Sequence, residues 1–172
     1  NEIGTVQPIR ELAALARAAG VPFHTDAVQT AGALEVGLAT LGVDALSLAG
    51  HKLGAPKGIG LLAVRGGLPL EPLLHGGGQE RGRRSGTENV AGVVALATAL
   101  ALATRERAQQ TRVASARDTI IDGVLARVPG AFLTGSREHR LPNHASFCFP
   151  GTSGEAVLLE LEARGVVCSS GS

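Results

Sequence analysis

Sixteen residues of this chain are basic, yet only two are lysines. Both lie in one short segment, Ala49-Gly50-His51-Lys52-Leu53-Gly54-Ala55-Pro56-Lys57-Gly58. Arginine stays protonated at any working pH, whereas a desolvated lysine can lose its proton and form a Schiff base with a carbonyl compound. In a chain that otherwise uses arginine, the segment points to amine chemistry. Upstream, a strand-like run ends in an acid, Val21-Pro22-Phe23-His24-Thr25-Asp26.

An acid and a lysine at the ends of neighbouring strands is an arrangement that pyridoxal phosphate needs. Asp26 would pair with the pyridinium nitrogen and keep it protonated, so that the ring acts as an electron sink. Gln29, three residues on, could offer its amide to the ring's phenolic oxygen. Lys52 would attach to the cofactor and later move protons, its pKa lowered by burial and by the cofactor. Ser85-Gly86-Thr87, read as the opening of a long helix, has two hydroxyls and backbone N–H groups suited to a phosphate. Each residue also has a plainer reading. Asp26 could be a loop acid, Gln29 a surface amide, Lys52 a solvated cation and the Ser-Gly-Thr turn a simple helix cap. Lys57 fits the plain reading, in a Pro-Lys-Gly turn. Arg81, Arg83 and Arg84 either bind a carboxylate or form a solvated basic loop.

The elements needed to place these residues can be read from periodicity. A helix is expected from Pro8, with Ile9, Leu12, Ala13, Ala16 and Ala19 as its apolar stripe and Gly20 as its end. Strands are expected at 21–25, 45–49 and 60–65, with a loop or short helix at 29–41. A long helix is expected from about Glu88 to near Thr111, and another over 113–127. Beyond it come strands at 131–134, 145–149 and 166–168 and a helix over 155–164, opened by a capping box of Thr152 with Glu155. The fold class is α/β, with at least part of the sheet parallel. Residues 1–108 are expected to belong to one larger domain and 109–172 to a smaller α+β domain.

Bulk properties narrow the function further. The formal charge is +1 over 172 residues, which gives no electrostatic case for nucleic acid or an anionic membrane. Cys148 and Cys168 are far apart and have no zinc-like partners, which favours a reduced, cytoplasmic chain. Cys148, on an apolar strand, is expected to be buried, and Cys168 more accessible. The longest uncharged stretch, 89–104, is shorter than the roughly 20 residues of a bilayer span. His24, His75, His139 and His144 show no spacing that marks a site. The chain has no methionine and both ends read as cut, as in part of a longer protein.

Together these phrases resemble the cysteine desulfurases of the class V aminotransferase group. The matching segments are Asn1-Glu2-Ile3-Gly4-Thr5-Val6-Gln7-Pro8, His24-Thr25-Asp26-Ala27-Val28-Gln29, Ala49-Gly50-His51-Lys52 and Pro56-Lys57-Gly58-Ile59-Gly60. They continue with His75-Gly76-Gly77-Gly78-Gln79-Glu80-Arg81-Gly82, Arg84-Ser85-Gly86-Thr87-Glu88-Asn89, Pro142-Asn143 and Ser169-Ser170-Gly171-Ser172. The resemblance implies part of a fold-type I pyridoxal-phosphate enzyme: the C-terminal half of the large domain, with a mostly parallel sheet, then part of the small domain. It implies Lys52 as the Schiff-base lysine, Asp26 as the pyridinium partner, Gln29 at the ring hydroxyl and His51 at the phosphate. Asn1 matches an asparagine near cofactor and substrate. Thr87 matches a threonine that reaches the cofactor phosphate of a neighbouring subunit, implying a homodimer. The implied reaction converts L-cysteine to L-alanine and leaves a persulfide for a sulfur-acceptor or scaffold protein.

Two departures stand out. Ala49 replaces a serine common in the family, removing one phosphate hydroxyl. The persulfide cysteine is expected just past Ser172, so Cys168 is not assigned that role and the isolated chain is expected to be inactive. Rival readings are a selenocysteine lyase or another class V enzyme, and a non-catalytic interaction fragment.

Overall fold

The structure, a computed structural model, describes residues 1–171. It falls into two compact units, one of residues 8–107 and one in which residues 1–7 pack with the chain from 108 onward.

In the first unit, Pro8 caps helix α1 (Ile9–Ala18), and the chain reverses at Gly20 with φ +68°. Strand β1 (His24–Asp26) follows, then the single-turn helix α2 (Leu38–Leu41) and strand β2 (Ala45–Ala49). A 3-10 turn (Gly50–Lys52) leads to strand β3 (Gly60–Val64), a second 3-10 turn (Glu80–Gly82) and the long helix α3 (Val90–Glu106). The sheet is mixed, in the order β1-β2-β3. β1 runs parallel to β2, pairing Asp26 with Ser47, and β3 runs antiparallel, pairing Leu48 with Leu61. The apolar run Gly60–Val64 returns directly after a turn, which antiparallel pairing permits without a crossover.

Side chains alternate across a strand, so Leu46 and Leu48 share one face of β2 while Ala45, Ser47 and Ala49 share the other. The leucine face packs with Ala13, Ala27, Ala31 and Val43 into the core, flanked by Phe23, Leu41, Leu53 and Leu100. Small alanines let α1 and the turn after β1 approach this sheet closely, which suits a chain with 2% aromatics. Asp44 ties the sheet together: its carboxylate accepts the Phe23 N–H at 2.8 Å and pairs with Arg65 at 2.8 Å.

The second unit contains helix α4 (Gln110–Arg127), a hairpin of β4 (Phe132–Leu133) and β5 (Phe147–Cys148), and helix α5 (Gly154–Glu162). Its centre is Ile121, fully buried, with Leu141 and the guanidinium of Arg140. Arg140 donates Nε–H to the Ser136 carbonyl at 2.9 Å, Nη1–H to that of Ile3 at 2.6 Å and Nη2–H to that of Thr134. A buried cation persists when its donors are paired in this way. Burial, then the nearby charges of Arg117 and Arg137, lowers its pKa from the ordinary arginine value. Through Ile3, and through Leu141 N–H donating to the Gly4 carbonyl, the N-terminal segment is stapled to this unit.

Several local expectations are corrected. Residues 166–168 form no strand. Helix α5 is capped at Ser153, without a side-chain cap bond, so Thr152 and Glu155 form no capping box there. Cys148 is exposed, because the two-residue strand β5 turns that side chain away from the hairpin's packed face. Cys168 is exposed as expected. Among the described residues, no helix is long and apolar enough to cross a membrane.

Candidate functional site

The parallel pairing of β1 and β2 places the C-terminal ends of two strands side by side, where α/β sheets bind ligands. Asp26 ends β1 and is exposed. Its Oδ1 accepts the Val28 N–H at 2.8 Å, a local turn that holds the carboxylate in place and starts the bend toward the half-buried Gln29. The ladder continues one residue further, with Ala27 N–H donating to the Ser47 carbonyl at 3.0 Å.

The register puts His24, Asp26, Ala45, Ser47 and Ala49 on one face. His24 Nε2 lies 2.7 Å from Ser47 Oγ, so that histidine is engaged across the strands. Ala49, the position of the missing serine, shares Asp26's face. An apolar cavity of about 230 Å³, lined by Leu34, Val36, Leu46, Leu48, Leu61 and Leu100, opens on the opposite, core face. Asp26 and Ala49 therefore lie on the face of the sheet away from this cavity.

Beyond β2 the chain enters the Gly50–Lys52 turn, with His51 and Lys52 exposed. Gly50 is buried and anchors the whole segment. Its N–H donates to the Ile59 carbonyl at 2.9 Å, while its own carbonyl accepts from Leu53 and Ala55. A Cβ there would lie 2.6 Å from Ile59 Cγ2 and 3.1 Å from the Ile59 oxygen. Only glycine lets the turn close on Ile59, and this closure fixes where Lys52 leaves the sheet.

The loop 75–87 differs from expectation. Helix α3 begins at Val90, capped by Asn89, whose side chain accepts the Gly92 N–H at 3.0 Å. Ser85-Gly86-Thr87 thus precedes the helix rather than opening it. Ser85 is buried and its Oγ accepts the Gly78 N–H at 3.2 Å, while Gly86 N–H donates to Gln79 Oε1 at 3.0 Å. Thr87 is exposed just beyond. The sequence marks Ser85 only as a phosphate-facing hydroxyl and gives Gln79 no role, because a bond from the Gly86 N–H to a side chain seven residues back has no sequence signature.

Asn1 lies in the second unit, where its carbonyl oxygen is 2.8 Å from Nε2 of His144. A carbonyl cannot donate, so this nitrogen carries the proton. Asp26, Gln29, His51, Lys52 and Thr87 all belong to the first unit.

The chain matches the Aminotransferase class-V family over residues 1–172. It belongs to that family. It is 50% identical over its whole length to a cysteine desulfurase of Gluconacetobacter diazotrophicus, covering 43% of that protein. It is 49% identical to the cysteine desulfurase NifS of Azotobacter vinelandii, again covering the whole chain and 43% of the relative. A solved NifS-like protein superposes with a TM-score of 0.89 at 36% identity, over 98% of this chain and 46% of that one. The class V chain therefore spans less than half the length of the curated relatives it matches, and its α/β fold is that of the NifS-like, fold-type I proteins.

Proposed function

We propose that this class V chain is part of a pyridoxal-phosphate-dependent cysteine desulfurase. In that reaction L-cysteine and an enzyme thiol give L-alanine and an enzyme persulfide. The carrying observation is the parallel β1–β2 pair, which brings the Asp26 carboxylate and the Lys52 turn to one end of the sheet. Whole-chain identities of 50% and 49% to cysteine desulfurases support the same reading.

The donor set fits the cofactor. A carboxylate suits its ring nitrogen, an amine its carbonyl carbon, an amide its phenolic oxygen, and an imidazole and a hydroxyl its phosphate. Lys52 would hold it through Nζ and carry protons there. Asp26 would keep the ring nitrogen protonated, and Gln29 would donate to the ring oxygen. His51 would contact the phosphate, and Thr87 that of a neighbouring subunit. Asn1 is assigned to cofactor and substrate on family resemblance. When bound, the cofactor supplies the electron sink for breaking the C–S bond.

A homodimer accords with the exposed apolar residues Val90, Val93 and Val94, spaced on one face of α3. Residues 8–107 would belong to the family's large domain and those from 108 onward to its small one. The persulfide's acceptor would be a sulfur-carrier or scaffold protein, and persulfide chemistry suits a reducing compartment such as the cytoplasm.

The test is absorbance of the intact protein with pyridoxal phosphate, together with alanine formation from L-cysteine. A visible cofactor band lost in Lys52→Ala, with alanine formation abolished, is expected. A band unchanged in Lys52→Ala would sink the assignment.

A further inference from the structure

We propose that Gln79 and Ser85 are positioning residues, clasping the loop 78–86 so that Thr87 is presented ready to meet the cofactor phosphate. The inference rests on the reading of Thr87 above and extends it to residues that touch no cofactor themselves.

Two cross-links of equal span close the loop. Gly78 N–H donates to Ser85 Oγ at 3.2 Å, and Gly86 N–H donates to Gln79 Oε1 at 3.0 Å. The adjacent residues 78 and 79 thus hold the adjacent residues 85 and 86, one rung from each side. Ser85 is 8% exposed and is further tied by its N–H to the Leu74 carbonyl at 3.1 Å. Inside the closed loop, Gly82 N–H reaches the Gly78 and Gln79 carbonyls at 2.9 and 3.0 Å.

The clasp holds a backbone that would not adopt this path unaided. Glu80 and Arg81 have φ of +51° and +59°, the left-handed region that L side chains avoid. Two consecutive non-glycine residues in that region persist only where surrounding contacts over-determine them, and such strain gathers at ligand clamps. Thr87 follows directly on Gly86, whose N–H is one of the two held groups. Fixing the loop during folding removes its ordering cost from ligand binding.

Gly77 explains part of the triple glycine. A Cβ on it would lie 2.8 Å from Gln79 Nε2 and 3.0 Å from Oε1, displacing the amide that holds Gly86. No positive φ is required at Gly77. Alanine there acts through the Gln79 side chain rather than through the backbone.

Pyridoxal phosphate titrated into the intact apo-protein, followed by absorbance, tests the clasp. Gln79→Ala and Gly77→Ala should each weaken binding about three- to tenfold, the span set by the net worth of one hydrogen bond. Gln79→Glu keeps an acceptor oxygen at the same place and should restore affinity to within about twofold of the parent. Thr87→Ala should weaken binding too, and Gln79→Ala with Thr87→Ala should be no weaker than Thr87→Ala alone, the mark of residues acting as one unit. If Gln79→Ala does not fold, Gly77→Ala, which keeps both clasp side chains, decides in its place. Parent-like affinity in Gln79→Ala beside a weakened Thr87→Ala, or additive losses in the double variant, overturns the clasp and leaves the cofactor reading standing. A parent protein that binds no cofactor overturns the cofactor reading and the clasp with it, whereas a Thr87→Ala variant that binds as the parent does overturns the reading of Thr87 and the clasp alone.

Discussion

Asp26 joins an observed bond to a proposed charge role, and a single substitution can separate them. Its Oδ1 accepts the Val28 N–H, a bond that an amide oxygen can also accept. Its negative charge is what a protonated ring nitrogen would require. Asp26→Asn should therefore leave the melting temperature nearly unchanged while alanine formation falls about 10- to 100-fold, the range for losing a hydrogen bond to a charged group. A large drop in melting temperature with parent-like turnover would show that the turn, not the charge, is what matters. Asn89 caps α3 through its side chain. Asn89→Ala should cost about 0.5–2 kcal/mol in urea unfolding, the usual worth of a helix cap, without changing cofactor affinity.

At the scale of elements, the 3-10 turn of Gly50–Lys52 is the piece on which the proposed cofactor site would depend. It packs against Ile59 so closely that no Cβ fits on Gly50. Gly50→Ala should force the turn away from Ile59, lowering both stability and cofactor affinity, readable by thermal melting and by absorbance titration. A Gly50→Ala protein that melts and binds like the parent would mean the turn relaxes freely. The strands show how far local pattern reaches. The Ala45–Ala49 strand was legible to the residue, as a short apolar run between polar turns. The strand at 21–25 was displaced to His24–Asp26, because Val21 and Pro22 come straight after the Gly20 reversal and make no ladder. The last segment, 166–168, had strand-like composition but finds no partner ladder among the described residues, and composition alone cannot supply one.

At the scale of the whole molecule, each compact unit has its own interior. The first is an alanine-rich core closed by Leu46 and Leu48, which are 4% and 6% exposed. Leu48→Ala should destabilise by about 2–5 kcal/mol in urea unfolding, since small neighbours cannot collapse into the space left behind. The second has the Arg140 guanidinium at its centre, bound to carbonyls of Ile3, Thr134 and Ser136. That interior shows why the N-terminal segment packs with residues 108 onward. Its carbonyls satisfy donors that burial would otherwise leave costly.

Residue types and order were enough to indicate an amine-bearing turn after one strand, an acid at the end of another, an α/β class and a resemblance to a pyridoxal-phosphate family. These follow from chemistry and from local periodicity, which a linear chain carries in full. The parallel β1–β2 register that brings Asp26 beside the end of β2, the closure of Gly50 on Ile59, the exposure of Cys148 and the Gln79–Ser85 clasp were decided by tertiary structure. Each depends on groups distant along the chain or on a backbone path with no sequence signature. Hydrogen bonds and steric exclusion act through space, so their partners become known only once the chain has folded.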